Sequence, residues 1–337
     1  MGRSNVFSLE QIYRKQVVGT WSKIPEVFRY VNALGGSPLG TDYGYFGGGS
    51  APGIGGPYSS VDRLDFASDS TNMVTKGPLS RSAASGGATG NISYGYAAGG
   101  GWPLQSSVDR VDYSSDTGTA SPKGTLQYST GGMGPVTSNT YGYFASGSAP
   151  SQGVGWTTEI QRIEFASDTS TAVGKGNIAW PAGAQGIAGT GNMDYGYFGG
   201  GRLYPGPGYL SVSFVGRIDY TNDTQTAPSK GPLTQIRGFL AAVGNADYGY
   251  VTISPNWYQH SRVTRIDYSN DTPTTVAKAS LVNQNRTYRS AMGDNDYGYF
   301  TDGYLYSPQT AYSTLYRIDY ASDSTIASPK GPLATTV

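Results

Sequence analysis

The tripeptide Tyr-Gly-Tyr occurs six times, beginning at Tyr43, Tyr94, Tyr141, Tyr195, Tyr248 and Tyr297, with spacings of 47 to 54 residues. After each copy comes Arg, an aliphatic residue, Asp or Glu, and then Phe or Tyr, starting at Arg63, Arg110, Arg162, Arg217, Arg265 and Arg317. Each period closes on a lysine, at Lys76, Lys123, Lys175, Lys230, Lys278 and Lys330, usually within Lys-Gly-Pro-Leu. A repeat of about 50 residues is too short to fold alone and signals a propeller or a solenoid.

Four short strands can be read in one period. Tyr43 to Gly49 is an aromatic strand stopped by glycines, and Val61 to Phe66 is a second, ended by the polar turn Ala67-Ser68-Asp69-Ser70. Thr71 to Lys76 is a third, ended by Gly77-Pro78. Arg81 to Thr89, built of small residues, is a fourth and leads into the next Tyr-Gly-Tyr. Small residues suit an innermost strand, where blades crowd a central axis. Four strands per period, Gly-rich turns and no helical periodicity predict an all-β fold, a six-bladed β-propeller. The Arg-to-Lys offset is 13 residues in all six copies, whereas the stretch from Tyr-Gly-Tyr to Arg varies from 16 to 22. The outer hairpin is therefore scaffold, and function is expected in the variable connection.

Residues 1–28 stand outside the repeat and residues 29–337 form the propeller. Ser8 and Gln11 make a capping-box pattern, after which Leu9, Ile12 and Tyr13 share one face of a short helix over about residues 9–16. With Trp21, these residues form a candidate docking arm, locally basic through Arg3, Arg14, Lys15 and Lys23. The arm either seats the propeller on a larger assembly or folds back on the ring. The C-terminal Lys330-Gly331-Pro332-Leu333 is expected to complete the sixth blade, leaving the Trp21 segment outside it; the alternative is an N-terminal strand around Lys23-Ile24-Pro25 that closes the ring.

Charge and composition exclude several kinds of chemistry. The chain of 337 residues has 23 basic and 23 acidic side chains, no Cys and a single histidine, His260. Disulfides, thiolate sites and His clusters for zinc or copper are thereby excluded. Net neutrality speaks against a nucleic-acid partner, which calls for a Lys/Arg surplus. Repeat positions supply 24 of the 46 charges, however, so neutrality is a property of the blade and an anionic partner for the basic arm stays open. No apolar run suits a signal peptide or a membrane span, and no metal or cofactor is expected. Asp294-Asn295-Asp296 lacks the Gly and Glu spacing of a calcium loop.

The repeated charges read as structure. In a simple hairpin register Arg63 opposes Lys76, with Asp65 on the same face between the two cations as an ion ladder. The second repeated acid, Asp69 in the first copy, is expected to hold its own turn by accepting backbone amides. The aromatics in the variable connections break the repeat. Tyr58, Trp102, Trp156, Tyr204, Tyr209, Trp257, Tyr258, Tyr304 and Tyr306, with His260, are the candidate binding residues of one face, alongside Phe214 and Tyr312. Such loops either present rings to a sugar or a protein, or fold inward and bury them.

The order Lys-Gly-Pro-Leu, Arg, Tyr-Gly-Tyr-Phe-Gly-Gly-Gly and a Tyr-Asp strand resembles the kelch repeat. More closely, the pattern around Arg217-Ile218-Asp219-Tyr220 through Lys230-Gly231-Pro232-Leu233 resembles repeats in tail-associated virion structural proteins of marine cyanobacterial phages. The resemblance spans residues 29–337, and the opening Val6-Phe7-Ser8-Leu9-Glu10-Gln11 is similar to the start of those chains. It implies a non-enzymatic component of a tail or tail appendage, made in the host cytoplasm and carried in the virion. Such a protein docks to other virion proteins through the arm and loop face and contacts the host surface, including its glycans. The alternatives are a glycan-binding lectin or adhesin, and a sialidase-like hydrolase. The hydrolase would need arginines from several blades to converge at the axis, for which Arg81, Arg237, Arg286 and Arg289 are the candidates.

Overall fold

In the computed structural model, residues 42–50, 57–101, 103–150, 155–203, 210–236, 238–252, 262–282, 289–305 and 310–334 are described. They form seven antiparallel sheets, six of which are the blades of a six-bladed β-propeller. Blade 2 shows the pattern: inner strand Gly87–Gly90, Tyr-Gly-Tyr strand Tyr94–Ala98, Arg strand Ser107–Asp112 and outer strand Ser121–Thr125, paired in that order. Blades 3 to 6 repeat it with inner strands Gly134–Thr137, Ala188–Gly191, Ala242–Gly244 and Ala291–Gly293. Blade 1 contributes Tyr43–Gly47, Val61–Asp65 and Val74–Lys76 among the described residues. The inner strand thus belongs with the Tyr-Gly-Tyr strand that follows it. It is also shorter than the expected Arg81–Thr89, because residues 81–86 run as irregular chain into the strand. The last strand, Ser328–Lys330, is the outer strand of blade 6. The arm, with Leu9, Ile12, Tyr13 and Trp21, lies outside the described residues.

In blades 2 to 6 the turn into the Tyr-Gly-Tyr strand is held by a side chain, which in blade 3 is the Ser138 hydroxyl accepting from the Tyr141 amide. Asn91 Oδ1 accepts from the amides of Ser93 and Tyr94, and Asn192 and Asn245 do the same in blades 4 and 5. Asp294 fills this role in blade 6 through the amides of Asp296 and Tyr297, which explains the Asp-Asn-Asp run as a turn device.

The register of the outer hairpin differs from the expected one. Arg63 pairs with Val74, and Lys76 pairs with Val61. Asp65 is not between two cations. It caps a single 3-10 turn, Phe66–Ser68, by accepting from the Ala67 amide at 2.9 Å. The acids Asp112, Asp219, Asp267 and Asp319 make the same bond, while Glu164, one methylene longer, makes none.

The cations point instead at the turn aspartate of the next blade. Asp116 Oδ2 accepts from the Tyr45 hydroxyl at 2.9 Å and from Arg63 Nη1 at 2.8 Å, while Lys76 Nζ lies 3.1 Å from Oδ1. The same three donors of blades 2, 3, 4 and 5 meet Asp168, Asp223, Asp271 and Asp323. Tyr299, Arg317 and Lys330 of blade 6 meet Asp69 of blade 1. Six seams therefore close the circle. Asp69, expected only to hold its own turn, is the clasp between the last blade and the first.

Each seam is also aromatic. The second tyrosine of Tyr-Gly-Tyr is essentially inaccessible in all six blades. It stacks on the ring that follows the Arg strand of the next blade, as in Tyr45 on Tyr113 at 4.9 Å and Tyr299 on Phe66 at 5.4 Å. The first tyrosine lies under its own blade's arginine, whose guanidinium carbon is 3.9 to 4.2 Å from the ring centre. The glycine between them is required by close approach. A Cβ on Gly298 would sit 2.7 Å from Val243 of the preceding inner strand, and one on Gly44 would collide with Met292. In the Lys-Gly step, the Gly77 amide donates to the Asp116 carbonyl, and a Cβ there would collide with the Gly118 carbonyl.

At two seams the carboxylate is held in its ionised form, at Asp116 and at Asp69. Burial alone would raise the pKa of Asp116, but hydrogen bonds from Lys76 and Tyr45 and the charges of Arg63 and Lys76 outweigh it and hold the group below its usual range. Asp69 is lowered by the equivalent partners, Lys330, Tyr299 and Arg317. Burial first, and then the neighbouring carboxylate, push the six seam tyrosines far above their ordinary value, so the phenols stay protonated.

Replacing Asp116 with Ala leaves two cations facing a buried gap and is expected to lower unfolding free energy by about 3 kcal/mol. Tyr45→Phe, which deletes one hydrogen bond, is expected to lower it by about 1 kcal/mol. Urea titration measures both. Because the folded pKa values of Asp69 and Asp116 are depressed, their contribution is intact above the unfolded value of about 3.9 and is lost as pH falls through the folded values. Thermal melts should hold steady down to about pH 4 and drop steeply below it.

Candidate functional site: the axial cavity and loop face

The segments joining each Tyr-Gly-Tyr strand to its Arg strand leave the same end of every blade. In blades 3 and 6 they prolong the hairpin itself, through Tyr141–Ser148 with Trp156–Glu164 and Tyr297–Leu305 with Thr310–Asp319. In blade 4 the connection adds a small sheet, Ala184–Gln185 with Arg202–Leu203 and Leu210–Ser211.

The structure places part of the candidate aromatic face. Tyr58 is half-buried and bridges to Ala83, and Trp156 is half-buried at the start of its strand. Tyr304 falls within the long strand of blade 6, and Tyr312 is half-buried in its partner. Phe214 is 37% exposed and leans on the buried Trp180 at 6.2 Å. The aromatic and histidine candidates Trp102, Tyr204, Tyr209, Trp257, Tyr258, His260 and Tyr306 lie outside the described residues.

At the same end of the ring lies a cavity on the propeller axis of about 680 Å³, walled by residues of all six blades. Its walls are mostly Gly, Ala and Ser, and its charged lining among the described residues consists of Arg81 and Arg289. Each guanidinium belongs to a chain segment entering an inner strand and has a fully buried aspartate associated with it. Arg289 is 7% exposed, and its Nη2 lies 3.9 Å from Oδ1 of Asp302, which is wholly inaccessible. Arg81 feels the charge of Asp109, also inaccessible and itself accepting from the Ser80 amide and hydroxyl at 2.9 and 2.6 Å. Arg81 Nη2 donates to the carbonyls of Gly99 and Ser107 at 2.8 and 3.1 Å. Burial pulls its pKa below the ordinary value, against the opposing charge of Asp109.

The rim of this cavity is a backbone relay in left-handed conformation. Ser85, Gly132, Gly186 and Phe239 occupy equivalent places before the inner strands of blades 2 to 5, with φ of 56, 73, 65 and 58°. The Gly132 amide donates to the Ser85 carbonyl, the Gly186 amide to that of Gly132, and the Leu240 amide to that of Gly186. Glycine meets this φ without strain, whereas Phe239 holds it against a steric cost. The Phe239 ring lines the cavity with the Arg202 guanidinium carbon 5.6 Å from its centre. Sequence reasoning missed this position. The only signal was an aromatic residue where blades 2 to 4 have Ser or Gly, a feature shared in the sequence by Tyr288 of blade 6.

Of the four arginines considered for an axial cluster, Arg81 and Arg289 line the cavity, and Arg237 and Arg286 lie outside the described residues. Among the described residues, no group of three or more His, Asp or Glu is placed to hold a metal ion.

No family model matches the sequence, and no curated protein matches it. Among solved structures, that of YjhT is similar, with a TM-score of 0.68 over 92% of this chain and 99% of that chain at 12% identity. At that identity the likeness concerns the fold, and it agrees with the propeller described above.

A methyl group on Gly186 would stand 2.7 Å from the Phe239 amide nitrogen while forcing a left-handed alanine. Gly186→Ala is expected to lower stability by about 2 kcal/mol, measured by chemical denaturation. Loss below a few tenths would show that the rim relay is slack.

Proposed function

We propose that this protein is a non-enzymatic structural component of a phage particle, part of its tail or a tail appendage, built on a kelch-like propeller. The observation that carries the scaffold half of this reading is the closed set of six seams. The repeated cations and turn aspartates are engaged between blades, so the repeat serves rigidity and leaves recognition to the segments that break it. The likeness of the repeat sequence to tail-associated proteins of marine cyanobacterial phages supports the virion half. In this reading the basic arm, residues 1–28, docks the disc to neighbouring virion proteins. The loop face, with Tyr58, Trp156 and the other aromatics of these connections, meets another protein or the host surface.

A rigid disc fits such a role physically. A ring that interlocks each blade with both neighbours keeps six variable connections in fixed relative positions, so ordering entropy at a contact is spent on the loops alone. Quantitative mass spectrometry of purified particles is expected to find the chain at a fixed copy number. Deleting residues 1–28 is expected to leave a folded propeller that no longer incorporates. Absence of the full-length chain from particles would contradict the reading.

A further inference from the structure

We propose that the axial cavity is a binding site for a compact organic anion, a carboxylate-bearing molecule of about monosaccharide size. Its volume of about 680 Å³ lies within the range of small-molecule sites. The charge on its walls is one-sided. Arg81 and Arg289 line it, and none of its described lining residues is acidic. The balancing aspartates, Asp109 and Asp302, are fully buried, where they hold the guanidiniums without lining the cavity themselves.

Both cationic lining residues are arginines, and a carboxylate is the anion whose geometry matches a guanidinium. The site also breaks the sixfold pattern of its scaffold. Asp302 stands where blades 1, 2 and 4 carry Gly48, Gly99 and Gly200 just after the Tyr-Gly-Tyr strand, and Phe239 stands where blades 2 to 4 carry Ser85, Gly132 and Gly186. The seams repeat in every blade, as a scaffold should. The Arg289–Asp302 pair and Phe239 depart from that repeat at one cavity, which suits recognition of a ligand with one charged end and a ring to lay against an aromatic face.

The inference does not depend on the virion reading, since a chain missing from particles could still bind an anion, and an incorporated one could fail to. Calorimetric titration of the full chain with glucuronate, and with glucose as its uncharged counterpart, tests it. Glucuronate is expected to bind saturably with Kd at or below about 1 mM, and glucose at least tenfold more weakly. Arg289→Gln and Arg81→Gln are each expected to weaken glucuronate at least tenfold, with thermal melts reporting whether each variant is folded. If one variant does not fold, competition of glucuronate binding by acetate in the wild-type chain gives the same reading. No saturable glucuronate binding, equal binding of glucose, or binding undiminished in the folded Arg variants would overturn the proposal.

Discussion

Each turn aspartate takes a phenol, a guanidinium and an ammonium from the blade before it, and the rest of the ring is arranged around that contact. The tyrosine reaches it because a glycine beside it lets the neighbouring inner strand come close, as at Gly298 and Val243. The arginine reaches it while resting on the first tyrosine of its own blade, which fixes the guanidinium at one height. Lysine reaches it from the outer strand, and the following glycine lets the next turn's backbone pack against the strand end, as at Gly77 and Gly118. A buried ion cluster of this kind is weak evidence for net stability, since desolvation offsets much of the attraction. Its stronger effect is on register. Misaligning one blade against the next would strand two cations and a carboxylate away from water.

Repetition of one unit also explains the chemistry of the surface. With both cations and the turn acid engaged at the seam, the blade walls offer little free charge, and distinctive groups gather where the repeat is broken. The axial cavity is such a place. It combines two arginines, backed by inaccessible aspartates, with an aromatic ring held at positive φ, on walls otherwise made of small residues. Its rim is itself bonded from blade to blade through Ser85, Gly132, Gly186 and Leu240. Backbone bonds thus tie the rim of the cavity together across blades 2 to 5.

Blade number and strand identity were legible in the sequence because hydrophobic alternation, turn residues and a repeated motif all act within one period. The partners of the motif charges were not. Pairing Arg63 with Lys76 and Asp65 followed from assuming a hairpin of even register, and the true partner of Arg63, Asp116, stands 53 residues away in another blade. For Arg317 and Asp69 the separation is 248 residues. Local spacing carries no information on which side of a blade faces its neighbour, so a turn-forming aspartate and a clasp look alike. The cavity arginines were visible as candidates, but their association with buried Asp109 and Asp302 depends on how inner strands meet at the axis. Phe239 gave no warning of its backbone conformation, because only the relay of neighbouring amides imposes it.

A double-mutant cycle between Arg317 and Asp69 tests the central claim most directly, because these residues join the last blade to the first. With the single and double Ala variants unfolded in urea, the seam account predicts a coupling energy above about 1 kcal/mol, as expected for a desolvated, hydrogen-bonded ion pair. A coupling near zero would mean that the ring is closed by apolar packing alone and that the aspartate clasp is incidental.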